Sequence, residues 1–285
     1  MNAVLADLVR VLELEQLEVN LFRGMSRDLG LPQVFGGQVL GQALHAASAT
    51  VTADRLVHSL HAYFLLPGDV KAPIIYEVDR SRDGGSFSSR RVVAIQHGHP
   101  IFHMSASFQI EQKGLEHQSP MPSVPAPESL QDIRDVVAAS LDIPAELKSW
   151  FRVQLPIEFR PVDPEQMMSA TPSEPLVRFW FRAIDKLPDN VVLHRSVLAY
   201  ASDFYLLRTA TEPHGIPFPS ARLRLATIDH AMWFHRPLRV DEWLLYSIDS
   251  PSASGSRGLS RGSIFDRNGN LVASVAQEGM VRVKA

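Results

Sequence analysis

The sequence predicts an α+β fold built twice over, each repeat a central helix wrapped by an antiparallel sheet. Three observations carry this. One order of elements, an apolar helix and then four strands, occurs in both halves; a proline-rich stretch at residues 119–127 separates the halves; and the strands alternate apolar and polar at a two-residue period.

Residues 1–10 read as the start of an amphipathic helix, with Leu5, Leu8, Val9 and Leu12 on one face, and residues 17–25 as extended chain. Phe35-Gly36-Gly37-Gln38 opens a second helix whose apolar body runs over 39–48. Strands follow at 56–66, 74–82, 87–96 and 101–110, separated by Pro67-Gly68, Asp83-Gly84-Gly85 and Gly98-His99-Pro100, which are turn chemistries. In the last of them Phe102, Met104, Ala106, Phe108 and Ile110 share one face, while His103, Ser105, Ser107 and Gln109 share the other. Four prolines in the nine residues 119–127 forbid a helix or a central strand there. Residues 113–150 are therefore read as a linker, with a short helix near 133–140, between an N-terminal domain at 1–112 and a C-terminal domain at 151–285. After an extended segment near 157–162 the earlier order returns: a strand at 176–184, a helix at 191–207, and strands at 222–234, 243–249, 258–265 and 271–283.

A helix followed by strands long enough to wrap it is the hot-dog pattern, and doubling it places two such sheets side by side. One large sheet is disfavoured, because it would leave the apolar helices at 39–48 and 191–207 short of cover. The repeat is architectural only: laying 57–67 on 227–237 matches little beyond Phe64 with Phe234 and Pro67 with Pro237.

With 285 residues, 45% of them hydrophobic, the chain can bury a substantial core, and no segment approaches the roughly 20 unbroken apolar residues of a membrane helix. No membrane insertion is expected. The absence of cysteine excludes disulfides, thiolate metal sites and a cysteine nucleophile. No secretory signal opens the sequence, so a cytoplasmic setting is expected. A net charge of −3 without basic runs gives no case for nucleic acid and points to a small-molecule partner. No phosphate-cradling glycine loop or dinucleotide fingerprint occurs, and no cofactor is called for.

Three polar residues fall on apolar faces. In the strand at 271–283, Gln277 points with Leu271, Ala273, Val275, Gly279 and Val281, so its amide must find partners, whether backbone or catalytic. On the helix at 191–207, Asp203 recurs with Val192, Ser196, Ala199 and Leu206; desolvation there would raise its pKa and make it a better base for activating water, unless it turns outward at the helix end. Thr227 shares a face with Leu223 and Leu225, either as a plain strand former or as a placed hydroxyl. Asp229, two residues on, is a rival acid. The first half offers no equivalents: residues 29–53 contain no Asp or Glu, and Ala106 takes the place of Gln277 when Gly98 is laid on Gly269.

At this point Leu21-Phe22-Arg23-Gly24, Val34-Phe35-Gly36-Gly37-Gln38-Val39, Val57-His58-Ser59, Tyr200-Ala201-Ser202-Asp203, Ala226-Thr227-Ile228-Asp229-His230, Trp233-Phe234-His235-Arg236-Pro237 and Gln277-Glu278-Gly279 resemble the bacterial acyl-CoA thioesterase II family. The match is ordered and spans nearly the whole chain. It implies a double hot-dog hydrolase of acyl-CoA, metal-free, cytoplasmic and homo-oligomeric (a dimer or tetramer), with Asp203, Thr227 and Gln277 as catalytic residues and Asp203 preferred to Asp229. Water would be activated by Asp203 and held by Thr227 and Gln277. Gly36, Gly37 and Gln38, at a helix start, are the candidates for oxyanion stabilisation or substrate positioning.

Other features carry less. His58, His61, His97, His99 and His103 fit a turn and strand ends better than a metal site. Arg90-Arg91, Arg222 and Arg224 could meet coenzyme A phosphates but fit a solvated strand face, and Gly215-Ile216-Pro217-Phe218-Pro219 could border an acyl pocket or merely connect. A hot-dog hydratase or dehydratase and a silent acyl-CoA-binding protein are the alternative functions.

Overall fold

In the computed structural model, which describes residues 1–140, 148, 151, 153–216, 220 and 222–284, helix α1 (Ala3–Leu12) is capped by Asn2, whose side chain accepts from the Val4 N–H at 2.9 Å. Its predicted face, Leu5, Leu8, Val9 and Leu12, is buried. Strands β1 (Glu15–Glu18) and β2 (Leu21–Gly24) follow, then α2 (Gly36–Ser48), β3 (Arg55–Phe64), β4 (Ile74–Asp83), β5 (Phe87–Gln96) and β6 (His99–Ile110). After the linker, with α3 (Ile133–Ala139), come β7 (Ile157–Pro161), α4 (Pro164–Met168), β8 (Leu176–Ala183), α5 (Val191–Ser202), β9 (Leu223–Thr227), β10 (Asp229–Phe234), β11 (Leu244–Ser254), β12 (Arg257–Asp266) and β13 (Leu271–Val283).

Each half wraps its long helix, α2 or α5, as the hot-dog pattern requires. The two sheets are not separate, however. They join through β3 and β10, which pair antiparallel with Ala231 opposite His61, giving one continuous antiparallel sheet in the order β1-β2-β4-β5-β6-β3-β10-β13-β12-β11-β8-β7, with β9 beside β13. The argument against a single sheet fails because a strongly curved sheet can cover two helices that lie against each other. They do so closely: a Cβ on Gly37 would stand 2.3 Å from the Tyr200 carbonyl, and one on Gly41 would stand 2.9 Å from the Ser196 carbonyl. Only glycine lets these backbones approach so far.

Two predicted elements are cut short. The helix at 191–207 ends at Ser202, with Asp203 as its C-cap; Tyr205 then takes a left-handed φ of 61° and the chain turns into a 3₁₀ segment, Leu207–His214. Phe204, Tyr205 and Leu207 continue the apolar run, but they wall a cavity rather than extend a helix. The strand at 222–234 breaks at Ile228. Four steps from Thr227 to Ala231 face three from Gly279 to Ala276, so one residue is extra, and Ile228 N–H and Asp229 Oδ1 both bond the backbone of Glu278. Such a bulge flips the inward phase from Leu225 and Thr227 to His230, Met232 and Phe234.

The linker lies on the outer face of the second sheet. Trp180 donates to the Pro125 carbonyl at 2.9 Å, and Met121, Val124 and Leu130 pack against Trp180, Trp243, Leu245 and Phe265. Of the connector 215–219, residues 217–219 lie outside the described residues.

Candidate active site

Asp203, Thr227 and Gln277, on three elements far apart in sequence, meet at one point. Thr227 Oγ1 donates to Asp203 Oδ1 at 3.2 Å, and Gln277 Nε2 donates to Thr227 Oγ1 at 2.7 Å. Gln277 is fully buried at the middle of β13, opposite Ser260 of β12. Asp203 is delivered by α5, whose start is fixed by Asn190 accepting from the Leu193 N–H at 3.1 Å and whose end is held by Tyr246 donating to the Ser202 carbonyl at 3.1 Å. Thr227 faces this point because the bulge lets β9 end there. Asp229 does not: it caps the Glu278 N–H at 2.8 Å.

Burial raises the Asp203 pKa above the usual carboxylate value, opposed by His230 and by hydrogen bonds from Thr227, the Gly37 N–H and Gln277. The carboxylate also sits at the N-terminus of α2, where Phe35 offers no side-chain cap and the helix dipole favours negative charge. Of the three residues at that helix start, Gln38 turns away: its N–H bonds the Phe35 carbonyl and its Oε1 accepts from the Arg27 N–H at 2.8 Å. Gly37 is directed at Asp203. Gly36 borders the site so closely that a Cβ there would lie 2.7 Å from Asp203 Oδ2.

The three side chains line a cavity of about 330 Å³. Its walls are largely apolar, with Asp132, Arg134 and Arg208 also bordering it, and come from every part of the chain: Leu29, Val34 and Phe35 from the first half, Ile133 from the linker, and Phe151, Phe159, Tyr205 and Leu225 from the second. A carboxylate in the wall of a largely apolar cavity suits a substrate that is greasy on one side of a polar reacting bond.

Sequence reasoning missed His230. Fully buried, its ring lies between Gln277 Oε1, 2.8 Å from Nδ1, and Ser202 Oγ, 3.0 Å from Nε2. Burial holds its pKa below the ordinary value against the opposing pull of Asp203, Gln277 and Asp229, so the ring is neutral near pH 7. The signal was its two-residue spacing from Met232 and Phe234, hidden by the assumption of an unbroken strand.

The first half lacks such a group. Arg90 faces Ala106 across β5 and β6 just as Ser260 faces Gln277 across β12 and β13, and its guanidinium fills the space, donating to Thr50 Oγ1 at 2.9 Å and to Asp83 Oδ1 at 2.7 Å. Arg90 is thus a buried structural cation rather than a solvated strand residue. Among the histidines, His58 bonds Ser107 at 2.8 Å, and His97 has a carboxylate neighbour that spacing did not reveal, Asp69 at 3.0 Å.

Comparison with known proteins gives the chain its family. The family described as acyl-CoA thioesterase matches residues 147–280, and the acyl-CoA thioesterase N-terminal domain matches residues 27–109. The chain is 42% identical to acyl-CoA thioesterase 2 of Haemophilus influenzae, covering 99% of both chains. It is also 42% identical to human acyl-coenzyme A thioesterase 8, covering 96% of this chain and 88% of that one. The solved structure of the acyl-CoA thioesterase II TesB2 from Mycobacterium marinum superposes with a TM-score of 0.80 at 43% identity, over 98% of this chain and 99% of that one. With a double hot-dog fold and relatives of this kind along its whole length, the chain belongs to the acyl-CoA thioesterase family, enzymes that hydrolyse acyl-CoA thioesters.

Proposed function

We propose that the protein hydrolyses acyl-CoA to a free fatty acid and coenzyme A by direct attack of water, with Asp203 as general base and Thr227 and Gln277 as the groups that orient base and water. The observation that carries this is the meeting of three polar side chains in the wall of a largely apolar cavity. The acyl chain occupies the cavity and the thioester carbonyl lies beside Asp203. Water adds to the carbonyl carbon as Asp203 takes its proton; the tetrahedral intermediate then expels the thiolate, which recovers the proton. A base with a raised pKa suits both transfers. The negative oxygen of the intermediate lies near the Gly36 N–H, at the positive end of α2. No covalent acyl-enzyme is needed.

The two halves carry unequal roles in this reading. The N-terminal repeat, 1–112, supplies the helix start and part of the cavity wall, the linker at 113–150 another part, and the C-terminal repeat, 151–285, the reacting side chains. The setting is cytoplasmic and the enzyme a homo-oligomer, a dimer or tetramer; support for assembly is the exposed aromatic row on the outer face of the seam, where Trp233 lies 5.3 Å from His61 and Tyr63 lies 5.6 Å from His103.

Incubation with acyl-CoA and a thiol reagent tests the reading. Hydrolysis releases free thiol with time; a hydratase changes the acyl chain and leaves the thioester intact, and a silent binder changes nothing. His230, the one histidine in the group, is not part of the cavity wall, which argues against a hydratase.

A further inference from the structure

We infer that His230 is a positioning residue for hydrolysis: it holds the Gln277 amide in the one orientation that leaves Thr227 free to donate to Asp203. The inference rests on the reading of Asp203, Thr227 and Gln277 given above.

The direction of every bond follows from the carboxylate end. An ionised Asp203 only accepts, so at 3.2 Å the Thr227 hydroxyl must spend its one proton on Oδ1. Thr227 Oγ1 therefore accepts from its other neighbour, and the atom of Gln277 that lies 2.7 Å away is the amide nitrogen. That places Oε1 on the far side, in a fully buried spot where an amide oxygen without a donor is costly. The group that faces it is His230 Nδ1, at 2.8 Å, which must carry the ring proton. Nε2 then accepts from Ser202, at 3.0 Å. The result is a one-way relay of donors from Ser202 through His230, Gln277 and Thr227 to Asp203.

Without the imidazole, the amide gains by turning its nitrogen away from Thr227 or by leaving its place. Thr227 then bonds Gln277 instead of Asp203, and the carboxylate loses donors that stabilise its charged form. The effect reaches the base through two other residues, Gln277 and Thr227, and His230 is not itself one of the residues that line the cavity.

Substitutions separate this role from mere packing. In His230→Asn the side-chain amide nitrogen can occupy the place of Nδ1 and keep the donor, while Ser202 falls back on the Ala199 carbonyl, already 2.9 Å away. His230→Leu removes the donor, and His230→Gln moves it towards Ser202. We expect His230→Leu and His230→Gln to lower kcat by about 10- to 100-fold, with KM for acyl-CoA within twofold and with the acid limb of the kcat profile moved to higher pH. His230→Asn should stay within about threefold of wild type, with the limb in place. In a Gln277→Ala background, His230→Leu should cost no more than twofold further, since both act on the same link. Should the leucine variant fail to fold, the pairing of asparagine with glutamine makes the same comparison. A folded His230→Leu or His230→Gln with wild-type kcat, an asparagine variant as slow as the leucine one, or full additivity with Gln277→Ala would overturn the proposal while leaving the hydrolase reading intact. Wild-type protein that releases no thiol from acyl-CoA would overturn both.

Discussion

Thr227, the last residue of β9, donates to Asp203, the residue that ends α5, across 3.2 Å, and this single bond ties the strand bulge to the helix end. If Asp203 is the base, Asp203→Asn keeps the shape and loses the proton acceptor. Turnover should fall by at least about 100-fold, with acyl-CoA binding little changed, as read by thiol release and by titration calorimetry. Asp229→Asn should leave turnover near normal, since that carboxylate caps a backbone amide.

Thr227→Val and Gln277→Ala should slow turnover less than Asp203→Asn does. In the proposed mechanism they orient the base and its water without accepting the proton. Steady-state kinetics on the three variants side by side give the order; a threonine variant slower than the asparagine variant would reverse the assignment.

The raised pKa of Asp203 fixes two signs. With Asp203 as the proposed base the active form is the carboxylate, so turnover should fall as pH drops through that pKa, and the acid limb of kcat should lie above the roughly 3.9 of an unperturbed aspartate. Stability runs the other way. Because the folded pKa exceeds the unfolded one, the unfolded chain releases its proton first as pH rises, and the folded state is at a disadvantage above the folded pKa. At neutral pH Asp203→Asn should therefore melt a few degrees higher, with about 1 kcal/mol gained, and the gain should shrink in acid.

Gly36→Ala places a methyl 2.7 Å from Asp203 Oδ2, and should abolish most turnover in a folded protein. Gly37→Ala drives a methyl to 2.3 Å from the Tyr200 carbonyl, so its cost should appear in thermal melts as loss of fold. Arg90→Ala should destabilise by about 3 kcal/mol, since it empties a buried site and leaves the Thr50 and Arg82 carbonyls without their donor, while the folded fraction keeps wild-type kcat.

Light scattering at micromolar concentration should give a mass above that of one chain. Trp233→Glu, placing charge in the aromatic row on the outer sheet face, should lower it.

Much of this was legible in the sequence because the periods are clean. The face Phe102, Met104, Ala106, Phe108 could be read directly, and Gln277 followed from the same alternation in β13. What was hidden needed a third dimension. The bulge at Ile228 leaves no mark in a two-residue period that looks unbroken, and it concealed His230. The apolar run from Phe204 to Leu207 reads as helix because cavity walls and helix faces draw on the same residues. Joining of the two sheets depends on two edges matching each other, which no local pattern encodes.

That joint between β3 and β10 makes the two repeats inseparable in a practical sense. Cutting the chain in its linker and separating the pieces would leave each with a raw strand edge, and edges of that kind invite aggregation. It would also divide the reaction chamber, because the fragment holding Asp203 lacks Phe35, Gly36 and the helix start that faces the carboxylate. The first repeat buries Arg90 at the strand position where the second has Ser260, and it contributes part of the wall of the cavity that holds Asp203. The cavity is complete only when both are present.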